Sequence, residues 1–537
     1  MATLGEHIIR CLEAYGVDTV FGIPGVHTVE LYRGLGASKI RHITPRHEQG
    51  AGFMADGYAR VTGRPGVAFV ITGPGLTNIL TPMAQAYADS VPMLVISSVN
   101  RREALGLGGG DLHEVRNPGS IAAQATAFSH LLSHPDQISS VLARAWAVFE
   151  GARPRPVHIQ IPLDMLRIDV GDCPAIRGPV IGPPAPAASA LDAAAALLSK
   201  SLSPLILAGG GAVSADAARN SRVATLAERL DAPVVSTVNA RGIVPMDHSL
   251  SVSASPTLGA VRQAIRDADT VLALGTEFGR TDYDMNDEAP LGVPGTLIRV
   301  DIDPQQLVCN VAPTLAIVGD ALDAAGGLAK RLAAPARSTG AARAGAIRDA
   351  AWREVGDDYR QMTAFLALLR DALPEAPIVG DSTNAIYAGN MVYAATGPRR
   401  WFNAATGYGA LGYGLPAAIG AARGLGAPVI CIAGDGGVQF TLTDIATAVE
   451  EALTVILVVV NNKGYGEIKN WMVARQISPV GVDLHTPDFV SIGRAYGTAV
   501  ATVDTMADIS GIVRQAAERG GPTLIKIDEK LILDREI

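Results

Sequence analysis

Cysteine is scarce in this sequence of 537 residues, and the few cysteines present do not cluster. Cys11, Cys173, Cys309 and Cys431 lie far apart in the sequence and form no C-x-x-C pair. A zinc site or a disulfide framework needs cysteines at short or paired spacings, so the sequence predicts neither. A few scattered cysteines are typical of proteins from a reducing compartment, and we therefore expect a cytoplasmic location.

Charged residues and long apolar runs are also few. Charged residues make up 18% of the chain and the formal net charge is −8, so nothing favours general attraction to nucleic acid or to an acidic membrane. The longest apolar runs, such as VILVVV at 455–460, have the length of a buried strand and fall far short of a membrane span. The first ten residues, MATLGEHIIR, contain Glu6 and lack the apolar core of a signal peptide. We expect neither a nucleic-acid partner nor a membrane partner.

The sequence is instead rich in glycine and small apolar residues, which are typical of α/β proteins. Because 537 residues exceed what one core can organise, we expect several domains. A proline-rich stretch at 174–189 and a second stretch at 331–345 rich in alanine and arginine indicate two boundaries. The predicted domains are residues 1–175, 190–332 and 350–537.

Each predicted domain alternates β-branched runs with helix-like segments. PGVAFVITG and VPMLVISSV in the first, DTVLALG in the second and LTVILVVVNN in the third are continuous apolar runs, as in strands buried on both faces. This alternation predicts an α/β fold with three doubly wound parallel-sheet domains in series. The glycines of LAGGGAVSAD in the second domain do not complete a dinucleotide-binding fingerprint, so a tight turn is the simpler interpretation.

An aspartate between glycines ends one strand of the third domain. Asp435 lies in CIAGDGGVQF, and Asn461-Asn462 follow the next predicted strand. Between them, TLTDIATAVEEAL has helical apolar periodicity and predicts a helix capped by Thr441 or Thr443. A right-handed crossover would make the two strands parallel, so Asp435 and Asn462 would emerge at the same sheet edge. A carboxylate and an amide oxygen there suit Mg²⁺, whose other ligands are phosphate oxygens and water.

The G-D-G sequence followed 27 positions later by N-N resembles the thiamine diphosphate motif of the acetolactate synthase and 2-oxo acid decarboxylase superfamily. The resemblance extends over the whole chain. It implies a pyrimidine-binding (PYR) domain, a central domain and a diphosphate-binding (PP) domain, in that order. It further implies Mg²⁺ bound by Asp435, Asn462 and Gly464. Cofactor contacts are implied from the same region, at Gly434, Gly436, Gly437, Asn462, Gly464 and Tyr465.

Three further segments carry the resemblance. In RHEQGAGFMADGYAR it implies that Glu48 hydrogen-bonds the aminopyrimidine ring of the cofactor and promotes the tautomer that deprotonates the thiazolium carbon. In TGYGALGYGLPAA it implies that Leu411, beside Gly409, lies between the two rings and enforces a bent cofactor. In VGDSTNA it implies diphosphate contacts from Thr383 and Asn384, whose hydroxyl and amide can donate hydrogen bonds.

The sequence departs from acetolactate synthases around the substrate. Features that bind FAD are not recognisable in the central domain, so FAD is not expected. Leu163 stands where those synthases have a lysine, and Leu112-His113 where they have an aromatic-glutamine pair. Glu467 replaces a methionine, although Trp471 retains its position. A carboxylate in such a pocket needs a cationic partner, which a substrate guanidinium could supply as a bidentate pair.

These features most resemble decarboxylases of 5-guanidino-2-oxopentanoate (2-ketoarginine), which implies 4-guanidinobutanal as the product. His27 and His113 are candidates for donating a proton after decarboxylation or for binding the substrate carboxylate. An acetolactate synthase or other carboligase is the main alternative, a noncatalytic cofactor-binding homologue is another, and a Rossmann dehydrogenase is a third. The resemblance also implies a site shared between subunits, and therefore at least a homodimer and, by expectation, a homotetramer.

Overall fold

The computed structural model describes residues 2–283, 291–335 and 338–534. They form three α/β domains in series, each built on a parallel sheet of six strands, which confirms the predicted fold class. Within these ranges no helix combines the length and the apolar character needed to cross a bilayer.

The PYR domain carries its helices on both faces of its sheet, and its strands follow the order β2-β1-β3-β4-β6-β5. Its elements are α1 (Leu4–Ala14), β1 (Thr19–Gly22), α2 (Val29–Leu35), β2 (Arg41–Ile43), α3 (Glu48–Thr62), β3 (Gly66–Val70), α4 (Pro74–Ala88), β4 (Met93–Val99), α5 (Pro118–Ala123), β5 (Phe128–Leu131), α6 (Gln137–Gly151), β6 (Val157–Pro162) and α7 (Leu163–Leu166).

The central domain has the strand order β12-β11-β10-β7-β8-β9, which is the order of dinucleotide-binding folds. Its elements are α8 (Ala188–Leu198), β7 (Pro204–Ala208), α9 (Ala217–Leu230), β8 (Val234–Ser236), β9 (Ser251–Val252), α10 (Gly259–Asp267), β10 (Thr270–Leu274), α11 (Arg280–Tyr283), β11 (Thr296–Asp301), β12 (Leu315–Val318), α12 (Ala321–Ala329) and α13 (Gly340–Glu354). Helix α13 begins inside the second predicted boundary and packs on α10, so it extends the central domain.

The PP domain repeats the PYR topology with the order β14-β13-β15-β16-β18-β17. Its elements are α14 (Asp357–Ala372), β13 (Ile378–Gly380), α15 (Asn384–Val392), β14 (Trp401–Asn403), α16 (Gly414–Leu425), β15 (Val429–Gly434), α17 (Ile445–Glu450), β16 (Val455–Asn461), α18 (Gly466–Ala474), α19 (Phe489–Tyr496), β17 (Ala499–Thr502), α20 (Ile509–Arg519), β18 (Thr523–Asp528) and α21 (Glu529–Leu533).

The predicted pairing of the two motif-bearing strands is confirmed. Strands β15 and β16 are parallel neighbours, with Gly434 in register with Val460. The predicted helix between them is shorter than its apolar pattern suggested, because two 3₁₀ turns precede α17. The prediction that Thr441 or Thr443 caps this helix is wrong. The Thr441 hydroxyl donates to the Gly412 carbonyl instead, and no side chain caps α17.

The PYR and PP domains meet where α3 crosses α16. A Cβ at Gly57 would lie 2.0 Å from the Ala417 carbonyl oxygen, and one at Gly420 would lie 1.9 Å from that of Met54. Only hydrogen fits in these gaps, so glycine at both positions lets the two helix backbones touch. The crossing joins residues of both sheets into one apolar core.

Arg60 at the end of α3 connects all three domains through buried polar contacts. Its guanidinium pairs with Asp56 and Asp89 of the PYR domain, each at 2.6 Å. It also donates to Asn239 of the central domain at 3.2 Å and lies 5.6 Å from the ring centre of Phe402 in the PP domain. Burial alone would lower the pKa of Arg60, but the carboxylates outweigh it and raise that pKa well above its ordinary value.

We expect Arg60→Met to destabilise the fold, because two buried carboxylates would lose their counter-charge. Breaking a buried pair in this way costs about 3–5 kcal/mol of the free energy of unfolding. Arg33→Met is the matched control, since Arg33 pairs with Glu30 at the surface and such pairs contribute about 0–1 kcal/mol. Urea unfolding followed by circular dichroism measures both variants. Equal midpoints for the two would contradict the importance of the Arg60 contacts.

Candidate functional site

A cavity of about 450 Å³ opens at the carboxyl edge of the PP sheet. It lies beside the point where the strand order reverses between β13 and β15, the usual ligand position in open α/β sheets. Of the predicted site residues, those that line it are Thr383, Asn384, Gly409, Leu411, Gly434, Gly436, Gly437, Asn462, Gly464, Tyr465 and Glu467. The central domain contributes Thr281 to the same wall.

Polar atoms of Asp435, Asn462 and Gly464 converge beside this cavity where β15 and β16 end. One terminal atom of the Asn462 side-chain amide lies 2.8 Å from the Gly464 carbonyl oxygen and 3.1 Å from Asp435 Oδ1. Adjacent ligands of an octahedral Mg²⁺ with bonds of 2.0–2.1 Å are about 3 Å apart. With the amide nitrogen at this end, it donates to both oxygens; with the amide oxygen there, three oxygens have the spacing of cation ligands. In the second orientation, the chemistry and spacing of these groups fit a hard divalent cation.

The backbone of Gly464 makes this convergence possible. Its φ of +151° belongs to a region that side chains rarely adopt, and a Cβ there would lie 2.1 Å from the Val482 carbonyl oxygen. The next N–H, of Tyr465, donates to that same carbonyl. Glycine is thus required for the loop to turn its carbonyl toward Asp435.

Two side chains outside the predicted set hold the oxygen-bearing residues. The Thr486 hydroxyl donates to Asp435 Oδ2 at 3.1 Å. The Glu529 carboxylate accepts from the amide nitrogen of Asn462 at 3.3 Å and from that of Asn384 at 2.9 Å. Burial raises the pKa of Asp435, and hydrogen bonds from the backbone of Asn462 and from Thr486 offset part of that rise. A bound cation would favour the ionised carboxylate.

The loop that carries Leu411 is anchored by a fully buried carboxylate. Asp381 follows β13 and accepts hydrogen bonds from the backbone N–H groups of Ser382, Gly412 and Gly414 at 2.8–3.2 Å. Burial raises the pKa of Asp381 to about 6, although these three donors lower it in part. Asp381 therefore fixes the position of Leu411 in the cavity wall.

Glu467 is the only residue with a formal charge among the described residues that line the cavity. It lies in the first turn of α18, and its carboxylate accepts a hydrogen bond from the Trp471 indole at 2.9 Å. Burial raises the pKa of the Tyr387 phenol, and the nearby Glu467 carboxylate adds to that rise. Glu467 thus lies between two aromatic side chains, and no ion pair to it occurs in the described ranges.

The predicted residues of the PYR domain gather at the carboxyl edge of its own sheet. Glu48 is the first residue of α3 and accepts a hydrogen bond from the Asn78 amide at 2.9 Å. The rings of His27 and His113 lie edge to face with centres 4.9 Å apart. The Nδ1 atoms of both histidines are buried and lack partners within the described part of the chain. Burial lowers the pKa of His27, and the neighbouring His113 lowers it further.

The structure therefore forms two groups of predicted residues. Glu48, His27 and His113 lie at the PYR edge and do not line the PP cavity of their own chain. Trp471 does not line the cavity, but its indole donates a hydrogen bond to Glu467, which does. Asp435 lies between the lining residues Gly434 and Gly436 in the sequence.

Sequence reasoning missed several residues of the site. Asp381 and Glu529 could have been found, because each is an acid directly after a strand, as Asp435 is. Asn78, Thr486 and Thr281 carry no comparable signal, since their contacts depend on folding of distant segments.

Three family models match the chain. They are "Thiamine pyrophosphate enzyme, N-terminal TPP binding domain" at residues 2–121, the central domain of the same enzymes at 191–328, and their C-terminal TPP binding domain at 381–527. The three matches together cover more than half of the chain, and each falls within one of the three domains of the structure.

Curated relatives match along nearly the full length. "Probable 2-ketoarginine decarboxylase AruI" of Pseudomonas aeruginosa is 46% identical, over 98% of this chain and 94% of that protein. "Acetolactate synthase" of Mycobacterium bovis is 32% identical, over 96% and 86%. "Acetolactate synthase isozyme 1 large subunit" of Escherichia coli is 30% identical, over 98% and 93%. The chain is thus an enzyme that uses thiamine diphosphate to decarboxylate or join 2-oxo acids, and it belongs to the family of thiamine pyrophosphate enzymes.

Proposed function

We propose that this enzyme decarboxylates 5-guanidino-2-oxopentanoate without oxidation, giving 4-guanidinobutanal and CO₂, with thiamine diphosphate and Mg²⁺ bound. The observation that carries the proposal is Glu467, a carboxylate that lines the cavity beside Trp471 and Tyr387. A carboxylate favours a cationic partner when bound substrate displaces its water, and a guanidinium offers two parallel N–H donors to it. The Tyr387 ring, which also lines the cavity, would add attraction for a planar cation, whereas the Trp471 ring is already stacked by Arg475 at 3.9 Å. The 46% identity to a protein named for 2-ketoarginine supports the same substrate.

The PP domain supplies the groups that would hold the diphosphate. Asp435, Asn462 and the Gly464 carbonyl would bind Mg²⁺, which would supply positive charge to the phosphate oxygens of the cofactor. Backbone N–H groups around Gly436 and the side chains of Thr383 and Asn384 would donate to the same oxygens. Leu411, held by Asp381, would occupy the space between the two cofactor rings. When bound, thiamine diphosphate supplies the electron sink that lets CO₂ leave a 2-oxo acid.

The PYR domain supplies proton-transfer groups. Glu48 would hydrogen-bond the cofactor's ring nitrogen, with the Asn78 amide fixing its carboxylate. The adjacent imidazoles of His27 and His113 would bind the substrate carboxylate or give a proton to the product. The lowered pKa of His27, caused by burial and by the neighbouring His113, favours the neutral form of His27.

We propose that the two groups of residues meet across an interface between two copies of this chain. Within one chain, Glu48 does not line the cavity beside which Asp435 lies. Large apolar side chains are exposed around both groups, and such patches mark interfaces. They are Val26, Val29, Leu107 and Leu112 on the PYR side, and Tyr408, Phe440 and Ile468 on the PP side. A homodimer is the smallest active form, and a homotetramer is the expected assembly.

The second candidate function is that of a carboligase, which joins two 2-oxo acids. It is favoured by the acetolactate synthases at 30–32% identity and by Trp471 at the position that favours larger second substrates there. A carboligase would convert two pyruvates into one acetolactate and one CO₂, whereas the proposed activity releases one aldehyde and one CO₂ from each 2-oxo acid, so the organic product distinguishes the two. Both products can be measured in one assay.

We expect Asp435→Ala to abolish retention of thiamine diphosphate, because the diphosphate would lose its metal bridge. Equilibrium dialysis with Mg²⁺ present measures the affinity. Asp483→Ala is the matched control, since Asp483 is an exposed acid paired with Lys469 close to the same loop. Undiminished binding by Asp435→Ala, or equal loss in the control, would rule out Asp435 as the metal ligand.

We expect inactive Glu48→Gln chains mixed with inactive Asp435→Ala chains to regain activity. A mixed dimer contains one site in which both residues are intact. Mixing two differently tagged wild-type samples controls for subunit exchange. If exchange occurs and the mixed variants remain inactive, the two residues do not serve one shared site.

We expect Glu467→Gln to lower kcat/KM for 5-guanidino-2-oxopentanoate by about 10- to 100-fold, since a hydrogen bond to a charged group contributes about 1.5–3 kcal/mol. The same change should leave kcat/KM for 2-oxopentanoate, which lacks the guanidinium, unchanged or higher. A panel of 2-oxo acids measured for aldehyde and CO₂ tests both statements. Equal losses on the two substrates, or a wild-type preference for pyruvate, would contradict the proposed substrate.

A further inference from the structure

Glu529 connects two walls of the PP cavity through one carboxylate oxygen. It begins α21 directly after β18, the strand that pairs with β16. Its Oε1 accepts from the amide of Asn384, at the start of α15, and from the amide of Asn462, in the loop after β16. Both asparagines line the cavity. One carboxylate oxygen therefore contacts both amides.

The orientation of the Asn462 amide decides whether its oxygen or its nitrogen faces Asp435 and Gly464. With its nitrogen toward Glu529, its oxygen lies 2.8 Å from the Gly464 carbonyl oxygen and 3.1 Å from Asp435 Oδ1. A half-turn of the amide would let its nitrogen donate to both of those oxygens. Without a cation, that reversed orientation relieves the repulsion among the three oxygens. The amide thus has two orientations, and one of them cannot bind a metal.

Glu529 opposes the reversed orientation. After a half-turn, the Asn462 oxygen would face the Glu529 carboxylate, and two oxygens without a proton between them repel. The carboxylate therefore favours the orientation in which the Asn462 nitrogen faces Glu529 and the Asn462 oxygen faces Asp435 and Gly464. Groups that orient metal ligands in this way change metal affinity by about 10- to 100-fold when they are altered.

We propose that Glu529 is a positioning residue that holds the Asn462 amide ready for the divalent cation. The proposal rests on the proposed cation site and concerns what sets its affinity. A glutamine at position 529 has nearly the same shape, but its amide can donate to the Asn462 oxygen. The reversed orientation would then be stable, and cation binding would have to turn the amide back.

The test measures the Mg²⁺ concentration that gives half-maximal binding of thiamine diphosphate, without substrate. We expect Glu529→Gln to raise it about 10- to 100-fold. Asp528→Asn is the matched control, because it neutralises the adjacent exposed acid, whose carboxylate accepts from the Lys530 backbone and not from Asn462. An unchanged Mg²⁺ requirement in Glu529→Gln would overturn the proposal, as would an equal rise in the control.

A second background separates positioning from general damage to the fold. In Asn462→Asp the side chain presents an oxygen to the cation in either orientation, so Glu529→Gln should then raise the Mg²⁺ requirement little. The difference between the two backgrounds is the coupling of the two residues. An equally large rise in both backgrounds would show that Glu529 does not act through the amide. Failure of the wild type to bind the cofactor with Mg²⁺ would instead overturn the proposed function.

Discussion

The ion pairs of Arg60 are the constraint on which the arrangement of the three domains depends. A guanidinium buried among Asp56, Asp89, Asn239 and Phe402 takes partners from every domain, and each partner would be costly to leave unpaired. The contact specifies how the domains meet more than it adds to stability, because burying charges offsets most of what their attraction contributes. Asp89 also accepts from Thr406 of the PP domain, which brings the loop before Leu411 into the same set of contacts.

From this junction the two outer sheets present equivalent edges. The PYR and PP sheets share one strand order, and the two domains contact each other through helices α3 and α16. Each sheet reverses its order next to its first strand, and each uses that position for polar residues. The candidate proton-transfer groups lie at the edge of one sheet, and the groups proposed to bind the diphosphate lie at the edge of the other. Under the proposed function, this division is the reason that one chain alone has no complete site.

Much of this arrangement could be predicted from the sequence, because it depends on residues near strand ends. The apolar runs located the parallel strands, and the short motif around Asp435 and Asn462 located their common edge. The structure then placed nearly all of the predicted PP-domain residues around one cavity. The apolar pattern predicted too early a start for α17. The turn before this helix contacts Gly412 through Thr441, and apolar spacing alone cannot show that contact.

The hydrogen bonds that orient the site could not be predicted, even where the position of an acid after a strand marks the residue, as it does for Glu529. Asn78, Thr486 and Glu529 meet their partners over separations of 30, 51 and 67 residues, which no local pattern encodes. Their roles come from hydrogen-bond direction, and direction is set only when the backbone is in place. Sequence reasoning found the donors and acceptors that the chemistry needs but not the side chains that aim them.

The crossing of α3 and α16 has a mechanical consequence. Where Gly57 and Gly420 bring two backbones into contact, no layer of side chains is available to yield. Sliding one helix along the other by a single residue would drive a larger side chain into a gap that admits only hydrogen. The two outer domains therefore behave as one stiff body, and any adjustment to a bound molecule must come from the loops at the sheet edges.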